Sequence, residues 1–226
     1  LDYFSLPGGD RAVQEPWRIA LALLDKVGIP WEESLPPVAY AESQNDLLPG
    51  VHLTGVLKKQ LESGINAPLT SSMGRLFDGV ASLLGICHQI SYEGQAAIEL
   101  EALADPHEDY SYPVEFQDEL IFQLGPLIQA IQTDQLSGID PGIISARFHN
   151  TLADLVLQAA ISIREIHQLK TTALSGGVWQ NQTLLEKSII KLYSAGFQVL
   201  LHHHVPANDG GISLGQAVIG QRYLQV

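Results

Sequence analysis

Basic residues are scarce in this 226-residue sequence. Against 25 Asp and Glu stand only 12 Lys and Arg, a net charge of −13 with the histidines neutral and a pI near 4.8. So acidic a chain repels a phosphate backbone and an anionic lipid surface, which disfavours general nucleic-acid binding and membrane docking. Between Arg75 and Arg147 there is no Lys or Arg, while twelve carboxylates fall from Asp78 to Asp140. That stretch reads as a solvated acidic face, or as a patch that steers a basic partner. A single cysteine, Cys87, leaves no internal disulfide and fits a reducing compartment. No apolar run approaches the roughly 18 residues that span a bilayer. Leu1 to Gly9 lack the basic start and apolar stretch of a signal peptide. CxxC, HExxH, GxGxxG, P-loop and Ser-His-Asp spacings are all missing, as are internal repeats. The chain reads as acidic, globular, 46% hydrophobic and cytoplasmic.

Helical periodicity dominates. Pro16, Trp17, Ala20, Leu21, Leu23 and Leu24 predict a helix that ends before Gly28. Pro30 to Pro37 reads as a loop, and Leu47 to Leu61 as a second helix. Ser71 or Ser72 caps a third, whose Leu76, Phe77, Val80, Leu83 and Leu84 form an apolar stripe ending at Gly85. Further helices are expected over Ala96–Ala104, Glu119–Ile131 and Gly142–Ile166, with Tyr110–Phe116 extended. The last third differs. Thr171–Ser175 and Phe197–Leu201 read as strands, each followed by a turn and a helix, which suits parallel pairing.

Three short motifs carry candidate chemistry. Leu174-Ser-Gly-Gly-Val-Trp-Gln-Asn181 ends a strand in two glycines before a helix, leaving backbone N–H groups for a phosphate; the alternative is a tight turn that needs glycine. Val205-Pro-Ala-Asn-Asp-Gly-Gly211 places Asp209 after a strand, where it can hold a metal; the alternative is that Asn208 or Asp209 merely caps the final helix. In Ser71-Ser-Met-Gly-Arg-Leu-Phe-Asp78, Gly74 and Asp78 share a helix face, so Asp78 can accept from ribose hydroxyls; the alternative is a surface ion pair with Arg75. Tyr92-Glu-Gly94 reads as a turn into the next helix. His202, His203 and His204 do not make a metal site, because neighbours on an extended chain point in alternate directions. His149 is expected as a satisfied structural residue, and Cys87 as a small core residue.

Read together and in order, these motifs, with Tyr92-Glu-Gly-Gln-Ala-Ala97 and Arg147-Phe-His-Asn-Thr-Leu-Ala153, resemble the HypF family, the carbamoyltransferases of nickel–iron hydrogenase maturation. Leu6-Pro-Gly-Gly-Asp10 and Glu15-Pro-Trp17 match that family too, so the resemblance runs from about Leu6 to Gln221. It implies a C-terminal part of the last of four domains, related to the tRNA threonylcarbamoyl transferase TsaD. The implied fold is α/β and helix-rich, a partial actin-like (ribonuclease-H-like) ATP-binding lobe. A helical region covers about 11–166 and a strand–helix–strand–helix unit about 171–221.

The resemblance also implies an activity, in which a carbamoyl group passes from carbamoyl-adenylate, made from carbamoyl phosphate and ATP, to the C-terminal cysteine of HypE. Carried over by position, Asp78 and Gly94 contact the nucleotide, with Asp78 on the ribose. Gly176, Gly177 and Asn181 hold its phosphates and sugar. Asp209 ligates a divalent metal (zinc, iron or magnesium), and no side chain is assigned a catalytic role. The family's paired metal histidines lie upstream of Leu1; no His precedes His52 and no HxxxH occurs, so the metal site is expected to be incomplete. Partners implied are HypE and the missing N-terminal domains of the same protein. Two other readings are a TsaD-like tRNA modifier and a non-catalytic nucleotide-binding, HypE-docking module. The acidic stretch and Glu93-Gly94-Gln95 count against the tRNA enzyme. With most strands of the implied sheet missing, the edge near Thr171 and Phe197 is expected to be met by self-association, or by Leu1–Leu6 as a replacement strand.

Overall fold

The computed structural model describes residues 1–44, 52–117 and 121–224. It is helix-rich α/β and divides into two compact units, Leu1–Thr151 and Leu152–Val226.

In the first unit, helices α1 (Asp10–Gln14), α2 (Pro16–Lys26), α3 (Pro36–Ser43), α4 (Leu53–Ser63), α5 (Met73–Leu83), α6 (Gln95–Leu103) and α7 (Leu124–Leu136) precede α8 (Pro141–His167), which runs on past Thr151. Strand β1 (Phe4–Ser5) pairs antiparallel with β2 (Leu69–Thr70), and β3 (Phe116–Gln117) with β4 (Ile121–Phe122). Helices α2 and α5 form the centre. Every residue from Pro16 to Leu24 is buried, as is every residue from Leu76 to Leu83. Gly79 lets them touch: a Cβ there would lie 2.6 Å from Leu23 Cδ1 and 2.9 Å from Ile19 Cγ2. Phe77 meets Phe148 edge-on, with centroids 5.0 Å apart, an arrangement aromatic quadrupoles favour. Ser72 caps α5, its side chain accepting from Arg75 N–H.

Three expectations are corrected here. Pro30–Pro37 is not all loop, since α3 begins at Pro36 with proline in its first turn, where no intrahelical donor is lost. Ile121–Phe122 is a strand, so the helix expected over Glu119–Ile131 starts at Leu124. Within Tyr110–Phe116 only Phe116 is in a strand. The start of the Leu47–Leu61 helix lies outside the described residues; its remainder is α4. Leu1–Leu6 does supply a strand, but its partner is Leu69–Thr70.

In the second unit, β5 (Thr171–Ala173) and β6 (Gln198–Leu200) pair in parallel, Thr172 opposite Val199, on either side of α9 (Gln182–Ser194). One face packs Leu174 and Val199 against Ala160, Leu192 and Phe197. Thr171, Ala173, Gln198 and Leu200 on the other face are exposed, the alternation expected of a half-buried strand pair. Helix α10 (Ile212–Leu224) has no buried residue.

Candidate functional site

In the second unit, the turns after the two parallel strands lie side by side. Gly176 N–H donates to the Ala207 carbonyl over 2.8 Å. A Cβ on Gly177 would stand 3.9 Å from Asn208 Cβ. Gly176 takes φ 105° and ψ 160°, a region essentially reserved for glycine. It opens the 3₁₀ turn Gly177–Gln180, and Asn181 then caps α9 by accepting from Leu184 N–H over 2.8 Å. Gly176, Gly177 and Asn181 thus form one continuous element, beside the turn that carries Asp209. Asp209 is exposed and starts the 3₁₀ turn Asp209–Gly211, which Asn208 caps by accepting from Gly210 N–H. Of the two capping candidates, Asn208 is the one with the capping bond. A pair not signalled by spacing joins the strand ends: His202 Nε2 and Ser175 Oγ share a hydrogen bond of 2.9 Å.

Asp78 and Gly94 belong to the first unit. Gly94 caps α6 in the left-handed conformation, φ 80°, where an L side chain would be strained. Ser91 N–H donates to Gln95 Oε1 over 2.7 Å, which closes the Tyr92–Gly94 turn. Asp78, on α5, is 1% exposed. Its Oδ2 lies 2.9 Å from Arg75 Nη1, yet neither atom makes an aligned hydrogen bond. The ion pair is therefore buried, not on the surface as its spacing suggested. Burial, opposed by the Arg75 charge, raises the Asp78 carboxyl to about 6. Nearby Cys87 is buried, and its thiol is raised to about 11, by burial first and then by Glu99 and Asp78. Such a thiol stays protonated and unreactive at neutral pH.

The Arg147–Ala153 motif is architectural. Arg147 bridges Glu108 (3.1 Å) and Asp134 (2.8 Å) and stacks over Tyr110. Asn150 Nδ2 donates to the carbonyls of Glu108 and Tyr110, and Tyr112 N–H donates to Thr151 Oγ1. Tyr112 hydroxyl donates to Asp134 at 2.8 Å; burial, then that bond, pushes its pKa far above the usual phenol range. His149 is wholly buried, with Nδ1 bonded to the Ser145 carbonyl over 2.8 Å. This network pins the irregular segment 108–112 onto α8.

For the implied metal, the donor set does not fit. Among the described residues no three His, Cys, Asp or Glu gather to hold an ion, and Asp209 offers one exposed carboxylate where a stable site needs several ligands. No helix of the described residues is long and apolar enough to cross a membrane.

Residues 1–216 match the family described as carbamoyltransferase, Kae1-like domain, second subdomain. The carbamoyltransferase HypF of a Synechocystis strain is 37% identical over 96% of this chain and 29% of its own length. That of Rhodobacter capsulatus is 36% identical over 97% and 27%. A crystal structure of full-length HypF in a phosphate- and nucleotide-bound form superposes with TM-score 0.82 at 36% identity, covering all of this chain and 29% of that one. The chain thus spans under a third of these relatives' length. It belongs to the Kae1-like carbamoyltransferase family, as that domain's second subdomain.

Proposed function

We propose that this chain is the nucleotide-holding part of a carbamoyltransferase that moves a carbamoyl group from carbamoyl-adenylate to the C-terminal cysteine of HypE, in nickel–iron hydrogenase maturation. The observation that carries the reading is the adjacency of the Gly176–Gly177 and Asn208–Gly211 turns at the carboxyl ends of two parallel strands. Open α/β sheets bind ligands at that end. A relative's nucleotide- and phosphate-bound form supports the ligand class.

In this reading, Gly176, Gly177 and Asn181 bear on the phosphates, where the N-terminus of α9 favours negative charge. In the first unit, taken by itself, Asp78 and Gly94 are the proposed nucleoside contacts, carried by the resemblance to HypF. The acceptor thiol loses its proton, and its sulfur attacks the carbamoyl carbon. The new C–S bond forms as the C–O bond to the adenylate phosphate breaks, and AMP leaves with that electron pair. Carbamoyl-adenylate is spent as substrate, and ATP is consumed in making it. A divalent metal (zinc, iron or magnesium) would need ligands beyond Asp209. The remaining domains of the same protein and HypE are the proposed partners.

Calorimetric titration of the chain with ATP tests the ligand reading: Asp78→Ala is expected to weaken binding, and equal affinity removes Asp78 from the site. Supplying labelled carbamoyl-adenylate and HypE tests transfer. Label on the HypE cysteine identifies a catalyst. Nucleotide binding without transfer favours the second reading, a non-catalytic docking module.

A further inference from the structure

We propose that Arg75 is a latch over Asp78, which a ribose must displace before it can bind. This rests on Asp78 being the ribose contact proposed above. Asp78 is 1% exposed, and Arg75, itself part-exposed, lies against its carboxylate at 2.9 Å. The closed pair is a poor structural bond. Arg75 Nη1 and Asp78 Oδ2 are 2.9 Å apart and fully buried, yet neither makes an aligned hydrogen bond. Buried charges normally persist only when paired and hydrogen-bonded. The vicinal hydroxyls of a ribose bring two O–H donors and can satisfy a carboxylate that the guanidinium leaves unsatisfied.

The position of Arg75 agrees with a moving part. It is the third residue of α5, where the positive end of the helix dipole disfavours a cation, so helix stability does not call for arginine there. Its neighbours leave room to swing. Gly74 has no side chain, and a Cβ built on it would meet only Ser72 Oγ, at 3.7 Å. Ser71 and Ser72 are exposed, and Arg75 itself is part-exposed. Opening the latch breaks the ion pair and frees the guanidinium to solvent or to an anionic group of the ligand.

Equilibrium dialysis of the full chain with adenosine and with ATP tests the latch. Adenosine carries the ribose without phosphates, so the lost arginine charge does not act on it directly. Arg75→Ala and Arg75→Gln are expected to bind adenosine at least about threefold more tightly than wild type, while Asp78→Asn loses binding; circular dichroism verifies that each variant folds, and Arg75→Gln guards against misfolding of the alanine variant. If Asp78→Asn loses binding but both Arg75 variants bind as wild type or more weakly, the latch is overturned and the Asp78 contact stands. If Asp78→Asn binds as wild type, or if no variant binds either probe, the Asp78 reading fails and the latch with it.

Discussion

Gly176 donates its amide to the carbonyl of Ala207, and this one bond joins the turn after β5 to the turn after β6. The donor sits at φ 105°, ψ 160°, where a Cβ meets no neighbouring atom. The obstacle to a side chain is therefore backbone conformation alone, at about 1–3 kcal/mol. Gly176→Ala should destabilise the second unit by that amount and weaken ATP binding, whereas Gly220→Ala, on α10, should leave binding unchanged. Hydrogen exchange at β5 and β6 reads the first effect and calorimetry the second.

Gly79 is required for space, not for its dihedrals. Its closest would-be contacts, Leu23 and Ile19, belong to a helix buried from end to end. Gly79→Val should separate α2 from α5 and cost about 1–3 kcal/mol, the usual range for overpacking. Urea denaturation followed by fluorescence measures it, and an unchanged midpoint would show that the interface has slack.

Arg147 joins Glu108, Asp134 and the ring of Tyr110 while about one-fifth exposed. Arg147→Met removes every one of those contacts and leaves two carboxylates without their cation. A loss of about 1–3 kcal/mol is expected, with faster proteolysis near residues 108–112. Arg147→Lys should restore little, because one ammonium cannot reproduce a planar fork that serves two carboxylates.

The Asp78 carboxyl gives a pH signature. Its pKa is raised in the folded chain, to about 6 from 3.8, so the folded state binds the proton more tightly than the unfolded state. The protonated form is the better accommodated one. Stability is greatest below about pH 4 on this account and declines as pH rises through 6. The full swing is about 3 kcal/mol by linkage. Asp78→Asn removes that dependence, so the difference in unfolding free energy between variant and wild type should grow in the variant's favour from pH 4 to 7. A difference flat with pH would mean that Asp78 titrates normally.

Local chemistry was legible in the sequence, and distant packing was not. Helices α2, α5 and α8 follow from apolar spacing, α5 also from a cap read at Ser71 or Ser72, and α9 from the turn that precedes it. The parallel pairing of β5 and β6 follows from a strand–helix–strand order. Helix α3 was hidden because Pro36 and Pro37 read as loop formers, although proline is tolerated in a first turn. At the candidate site, the Gly176–Asn181 element is contiguous and could be read directly. The burial of Asp78 arises only in the folded chain, and the Arg147 network spans residues 108 to 151, so spacing along the chain carries neither.

Helix α10 should be the least stable element of the chain when it stands alone. None of its 13 residues is buried. Ile212, Leu214, Val218, Ile219 and Tyr223 are all more than half exposed. Isolated helices of about 12–15 residues are marginal in water. Gly215 and Gly220 lie inside this one, each costing about 1 kcal/mol relative to alanine. No packing offsets these terms. In dilute solution the α10 amides should exchange close to free-chain rates, while those of α2 and α5 are strongly protected. If a second copy covers the helix, protection should rise with concentration, and light scattering should report a dimer over the same range. Strong protection of α10 in a dilute monomer would overturn its expected instability.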